Sequence, residues 1–215
     1  MKIGRRAFLA AGAVIAALGG AAVYLAKPFH ARPLTAEEKQ ACGLTVEAVE
    51  GPYHVSGMGE LKDGNLNFTN LAGVPIEISG HVYDGLDATK PLAGAAVEIW
   101  HADSDGSYHP NGNGPAANYK PEEIALRGFV LTDTEGRYRF TTIYPGEYSG
   151  RTRHVHFKIR GPGKPELTTQ LIVPAKPGDT LTFDSDDIAE GLPNCQLLAL
   201  DETSSPAKAT FDFRL

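Results

Sequence analysis

The chain is poor in cysteine and, outside its first residues, poor in positive charge. Only Cys42 and Cys195 occur among 215 residues, so a single disulfide is the most the chain can close on itself. In an exported protein that bond would close a loop of about 150 residues and contribute roughly 4–5 kcal/mol in the chain-entropy model. Two buried free thiols are the alternative. Lysine and arginine total 20 against 26 acidic residues, a net charge of −6. Four of those cations (Lys2, Arg5, Arg6, Lys27) fall in residues 1–30, which hold no acid, so the remainder carries 16 basic against 26 acidic residues, or −10. Such a body has no basic surface with which to seek nucleic acid or an anionic membrane. The sequence also lacks a long helical period, an internal repeat and a Gly-rich phosphate loop leading into a helix. Those absences argue against a solenoid and against a phosphate-loop nucleotide site.

Turn residues are plentiful instead, with 24 glycines and 15 prolines. They separate short runs of alternating polarity: Ile76 to Tyr83, Ala95 to Trp100, Arg127 to Thr132, Arg137 to Thr142, His154 to Arg160, Leu167 to Val173 and Thr210 to Leu215. Residues Asp133-Thr134-Glu135-Gly136 read as the turn of a hairpin joining two of these strands. The pattern predicts an all-β protein, an antiparallel β-sandwich, occupying residues 71–215. Residues 31–70 read as an N-terminal extension over it, with a short helix from Thr35 to Cys42 capped by Thr35 and Glu38.

Residues 1–30 read as a targeting element. Gly4-Arg5-Arg6-Ala7-Phe8-Leu9 resembles a twin-arginine export signal, and Ala7 to Ala26 carries no charge. Such a segment is long enough to span a bilayer, so both cleavage and membrane anchoring fit it. The chain is expected to be exported, to the periplasm or beyond the cell.

One segment concentrates chemistry: Gly150-Arg151-Thr152-Arg153-His154-Val155-His156-Phe157. Side chains alternate across a strand, so His154 and His156 share a face, and two neutral imidazoles there supply two adjacent corners of a metal site. A His-x-His alone is weak evidence, since cupins, zinc hydrolases and plain strands carry one. Oxygen donors lie nearby in sequence. Tyr148 follows a Pro145-Gly146 turn, and Tyr108 follows Asp103-Ser104-Asp105-Gly106-Ser107 in a polar loop. Tyr138 alternates within a strand and is read as structural. On a regular strand Arg151 has the parity of Val155, so a role beside the histidines requires it to sit in the turn before the strand. His101 is expected to be hydrogen-bonded near the site or at the surface, not a ligand.

An ordered set of fragments resembles the intradiol aromatic ring-cleaving dioxygenases, the group of protocatechuate 3,4-dioxygenase and catechol 1,2-dioxygenase. They are Glu50 to Tyr53, Leu92 to Asp103, Asp105 to Tyr108, Thr132 to Tyr138, Pro145 to Tyr148, Arg151 to Phe157 and Thr169-Gln170. The short spacing from Tyr148 to His154 is similar to a compact branch that includes secreted members. The resemblance implies a ferric ion, Fe(III), held by Tyr108, Tyr148, His154 and His156, with Tyr148 as the axial ligand that is displaced and accepts a substrate proton. It implies catalytic roles for Arg151 and Gln170. It implies a catecholic substrate cleaved by O2 between its two hydroxylated carbons to a cis,cis-muconate. The chemistry agrees, because phenolate is a hard anionic donor and only a strongly charged cation deprotonates a phenol near neutral pH. Two rivals share parts of the pattern. One is a transthyretin-like sandwich that only binds, which has no need of the two tyrosines and two histidines. The other is a zinc hydrolase on the same histidine pair, whose usual carboxylate is missing. The particular catechol and the oligomeric state are left open.

Overall fold

A computed structural model describes residues 43–215 apart from 149, 182 and 199. The export signal, the Thr35–Cys42 helix and Cys42 itself therefore lie outside the described residues. Cys195 is bonded in a disulfide, and Cys42 is the chain's one other cysteine.

In chain order the strands are β1 (Val55–Ser56), β2 (Pro75–Tyr83), β3 (Ala96–Trp100), β4 (Gly114–Pro115), β5 (Arg127–Leu131), β6 (Arg137–Ile143), β7 (His154–Arg160), β8 (Leu167–Ile172), β9 (Leu200–Asp201), β10 (Ala207–Thr210) and β11 (Phe213–Arg214). One short helix, α1 (Asp187–Glu190), follows β8. Two sheets face each other. The first runs β5-β3-β7-β8 and is antiparallel throughout. The second is built on β2, which pairs with β6 along one edge and with β10, β11 and, through β10, β9 along the other.

Strict alternation explains how β2 chooses its faces. Ile76, Ile78 and Val82 turn inward, and the polar residues between them are only half-buried. They meet Tyr138 and Phe140 of β6, Val97 and Ile99 of β3, and Val155, Phe157 and Ile159 of β7 in one apolar core. The first sheet thus spends the odd-numbered face of β7 on the core, and its even-numbered face, with His154, His156 and Lys158, looks the other way.

Two expectations are corrected. The Asp133–Gly136 turn does close, with Gly136 N–H donating to Asp133 and Asp133 N–H to Arg137. It does not join a hairpin: β5 pairs with β3, and β6 pairs with β2 in the opposite sheet. The turn is an arch between layers, which lets Val130 and Tyr138 enter the same core from opposite sides. The second sheet is also not wholly antiparallel, because β10 and β11 run parallel to β2. The single C-terminal strand expected from Thr210 onward is two strands interrupted at Phe211-Asp212. Gly80 is the reason the interruption fits: a Cβ there would stand 1.7 Å from the Phe211 carbonyl oxygen. That carbonyl accepts the Tyr138 hydroxyl at 2.8 Å, and Asp212 accepts the His81 N–H at 3.0 Å.

Residues 43–70 are bound into the sandwich. Leu61 N–H donates to Phe129 of β5, Leu66 N–H to Thr141 of β6, and the Leu66 side chain is part of the core. Gly80→Ala should lower unfolding stability by about 1–3 kcal/mol because backbone must move to admit the methyl. Leu131→Ala, at an exposed position, should change it by less than about 0.5 kcal/mol. Denaturant titration distinguishes the two, and a neutral Gly80→Ala would contradict the close approach.

Candidate metal centre and catalytic pocket

The outward face of β7 is not a solvent face. His156 pairs with Trp100 of β3 on one side and with Gln170 of β8 on the other. The Trp100 indole stacks on the His156 imidazole with centroids 4.9 Å apart and planes 7° apart. Above them lies the segment Glu50–His54, tied down at both ends. Glu50 forms an ion pair with Lys158, and His54 Nε2 donates to Glu98 at 2.8 Å. Gly51 lies against the ring it covers, since a Cβ there would be 3.3 Å from His156 Cε1, and its φ of +76° suits glycine.

Two glycines bring the tyrosine-bearing loops together. Asp103 Oδ1 accepts the N–H groups of Asp105 and Ser107 at 2.9 Å, folding the loop that presents Tyr108. The Gly146 N–H donates to Asp103 O at 2.7 Å. A Cβ on Gly106 would lie 1.9 Å from Glu147 O, and one on Gly146 would lie 2.5 Å from Gly106 N. Backbone therefore touches backbone, and the rings of Tyr108 and Tyr148 meet edge to face at 5.3 Å.

The donor atoms converge. The Tyr108 hydroxyl lies 3.3 Å from His154 Nε2 and 3.1 Å from His156 Nε2. His154 Nδ1–H donates to Thr152 O at 2.7 Å, which leaves its Nε2 as the lone-pair nitrogen. Tyr148 sits beside the trio, its hydroxyl 2.6 Å from that of Tyr53. Tyr53 in turn stacks on Tyr108 at 4.4 Å and 9°. Arg127, fully buried, fastens this corner by donating to the backbone oxygens of His109, Tyr53 and Pro110.

Burial sets the charges. It pulls His154 down to about 4, with the Arg151 charge acting the same way, and holds His156 well below the usual imidazole range. It pushes the Tyr108 phenol far above its usual value. The site therefore offers neutral imidazole nitrogens and a phenol that yields its proton only to a strong cation. His156 Nδ1 is buried with no hydrogen-bond partner, so the chain alone leaves this polar cluster incompletely satisfied. Hard phenol oxygens with imidazole nitrogens suit a ferric ion, and these residues fit one. Among the described residues no group of three or more His, Cys, Asp and Glu could hold a metal, so the phenols are essential to the set.

Arg151 precedes the strand, as a role at the site requires. It forms a two-residue bridge with Tyr148, and β7 begins at His154. Its Nη2 donates to Gln170 Oε1 at 2.9 Å, and Gln170 Nε2 donates to Val49 O at 2.7 Å. Its Nε meets both carboxylate oxygens of Asp186 at 2.8 Å. His101 is buried among hydrogen bonds to Ala102 O and Thr142 Oγ1, away from a ligand role. Sequence reasoning gave no role to Tyr53, Gly51, Arg127 or Asp186. The Glu50-Gly51-Pro52-Tyr53 fragment was a signal for the first two. Nothing local marks Arg127, which opens an ordinary strand, or Asp186, which lies in an acidic stretch far along the chain.

Residues 49–215 match the family described as Dioxygenase. The chain belongs to the intradiol ring-cleavage dioxygenases. It is 34% identical over 165 residues to catechol 1,2-dioxygenase 1 of Acinetobacter lwoffii, covering 66% of this chain and 49% of that protein. It is 33% identical over 148 residues to 6-chlorohydroxyquinol 1,2-dioxygenase of Cupriavidus pinatubonensis, covering 60% and 50%. This family member thus spans about half the length of the curated relatives it matches. Among solved structures, the dioxygenase domain of a dioxygenase–carbohydrate-binding fusion from Streptomyces sp. SirexAA-E aligns with a TM-score of 0.64 at 32% identity, over 80% of this chain and 97% of that one. Catechol 1,2-dioxygenase from Pseudomonas arvilla C-1 aligns with 0.61 at 29% identity, over 83% and 65%.

Gly146→Ala should separate the two tyrosine loops and weaken ferric binding roughly tenfold or more while the sandwich stays folded. Iron titration followed by circular dichroism checks it. Unchanged affinity would show that the backbone contact does not position the donors.

Proposed function

We propose that this dioxygenase-family chain is an iron-dependent enzyme that uses O2 to cleave catecholic rings between the two hydroxylated carbons, giving cis,cis-muconate-type products. The observation that carries the reading is the buried meeting of His154 Nε2, His156 Nε2 and the Tyr108 hydroxyl within 3.3 Å, with the Tyr148 phenol alongside. A sandwich that only binds has no need of that arrangement. Tyr108, Tyr148, His154 and His156 would hold the ferric ion. When bound, it would supply a Lewis acid that draws electron density from the catechol ring and makes it reactive toward O2.

The chain's own groups supply the rest. Tyr148 Oη accepts a proton from a substrate hydroxyl as general base, and the Tyr53 hydroxyl at 2.6 Å holds that oxygen in place. Arg151 has its Nε on Asp186 and its Nη2 on Gln170, and among the described residues no hydrogen-bond partner takes Nη1. Its charge meets the negative charge that develops on the ring, an effect already fixed before reaction. Gln170, fully buried, orients the guanidinium and does not itself carry charge. Trp100 and the Glu50–His54 segment cover the histidines and exclude water. The reading includes export, supported by Arg5-Arg6 and the uncharged run behind them.

Purified protein loaded with iron should show a visible tyrosinate-to-iron absorption that shifts on adding catechol under nitrogen. With air it should consume oxygen. Loss of outer partners of metal ligands costs about 10–100-fold, so Tyr108→Phe and His154→Ala should each lower activity by more than roughly a hundredfold. A wild-type protein that stays colourless and inactive after iron loading contradicts the proposal.

A further inference from the structure

Arg151 is a long side chain emerging from a turn, and such a side chain ordinarily samples several rotamers. Here it is fixed, and the fixing group is a carboxylate 35 residues away. Asp186 is 2% exposed. Its Oδ1 accepts from Arg151 Nε at 2.8 Å and from the Ile188 and Ala189 N–H groups at 3.1 Å. Its Oδ2 accepts from Arg151 Nε at 2.8 Å and from the Thr152 N–H at 2.9 Å. Both oxygens are saturated, so the carboxylate has no freedom to turn away. By capping α1 and gripping the backbone at Thr152, it joins the segment after β8 to the turn that leads into β7.

The consequence for Arg151 is directional. An arginine offers five N–H donors in a rigid plane. Asp186 takes the Nε side and Gln170 takes one donor of Nη2, so the guanidinium plane is defined by two fixed partners. Gln170 is the β8 partner of His156, and Arg151 pairs across the turn with Tyr148, so the guanidinium is held on the side of the sheet that carries the donor atoms. We propose that Asp186 is a positioning residue for ring cleavage, whose carboxylate aims the Arg151 guanidinium at the substrate ring without touching substrate or metal. This rests on the reaction proposed above. A bound and hydrogen-bonded cation keeps its field where it is placed, whereas an arginine freed from Asp186 would turn toward solvent and lose its preorganisation.

The test is a double-mutant cycle on the iron-loaded full chain, with kcat expressed per bound iron. Asp186→Asn should keep the visible absorption, its anaerobic shift with catechol, and a KM within about threefold of wild type, while kcat falls roughly ten- to a hundredfold. In an Arg151→Ala background the same substitution should have no further effect, because the residue acts through Arg151. If Asp186→Asn does not fold, Asp186→Glu keeps the charge, and its smaller fall in kcat should likewise vanish in the Arg151→Ala background. Unchanged kcat per iron, or equal losses in both backgrounds, would overturn the proposal and leave Asp186 a structural cap. Failure of the catechol reading itself would show separately, as a wild-type chain that binds iron yet consumes no oxygen with any catechol.

Discussion

Everything at the site depends on β7 being buried on both faces. Val155, Phe157 and Ile159 belong to the apolar core, while His154 and His156, one residue out of step, are buried among polar and aromatic groups. A strand with one wet face would leave the imidazoles hydrated and protonatable near neutral pH. Covered by Trp100, Gly51 and Tyr108, they are held neutral, with both Nε2 atoms within 3.3 Å of the Tyr108 hydroxyl. A one-residue slip in register would send both into the core and replace them with valine and phenylalanine. The core therefore specifies the site through parity alone.

The covering layer is assembled from pieces distant in sequence, each fixed by ordinary means. Glycines 106 and 146 allow two loops to touch backbone to backbone. Glu50 and His54 are bound by Lys158 and Glu98 from the same face of the sheet. Burial opposes ionisation of Glu98, but hydrogen bonds from His54 and Arg160 outweigh it and hold the carboxyl below the usual range. Asp186 follows the same logic, with Ala189 N–H, Arg151 and Thr152 N–H outweighing burial. These buried carboxylates, each satisfied by several donors, do mechanical work that apolar packing could not do with the same directionality.

Much of this was legible in the sequence. Six of the seven runs of alternating polarity gave strands close to their observed limits, because period-two patterning directly reports a half-buried sheet. The pairing of those strands was less legible. The Asp133–Gly136 turn has hairpin chemistry, yet its strands part into different layers, and turn residues do not encode which sheet follows. The parallel course of β10 and β11 against β2 depends on Phe211 meeting Gly80, a contact spanning most of the domain. At the site, His154, His156, Tyr108 and Tyr148 were accessible through local motifs. Arg127 and Asp186 were not, because their importance lies in which distant backbone groups they bind, and spacing carries no trace of that.

The central claim is that two different phenols and two imidazoles surround one ferric ion. Resonance Raman spectroscopy of the iron-loaded chain, excited in its visible band, tests it most directly. The account predicts tyrosinate ring vibrations from two inequivalent phenolates, one set lost in Tyr108→Phe and the other in Tyr148→Phe. A spectrum without tyrosinate modes, or one that neither substitution alters, would contradict it.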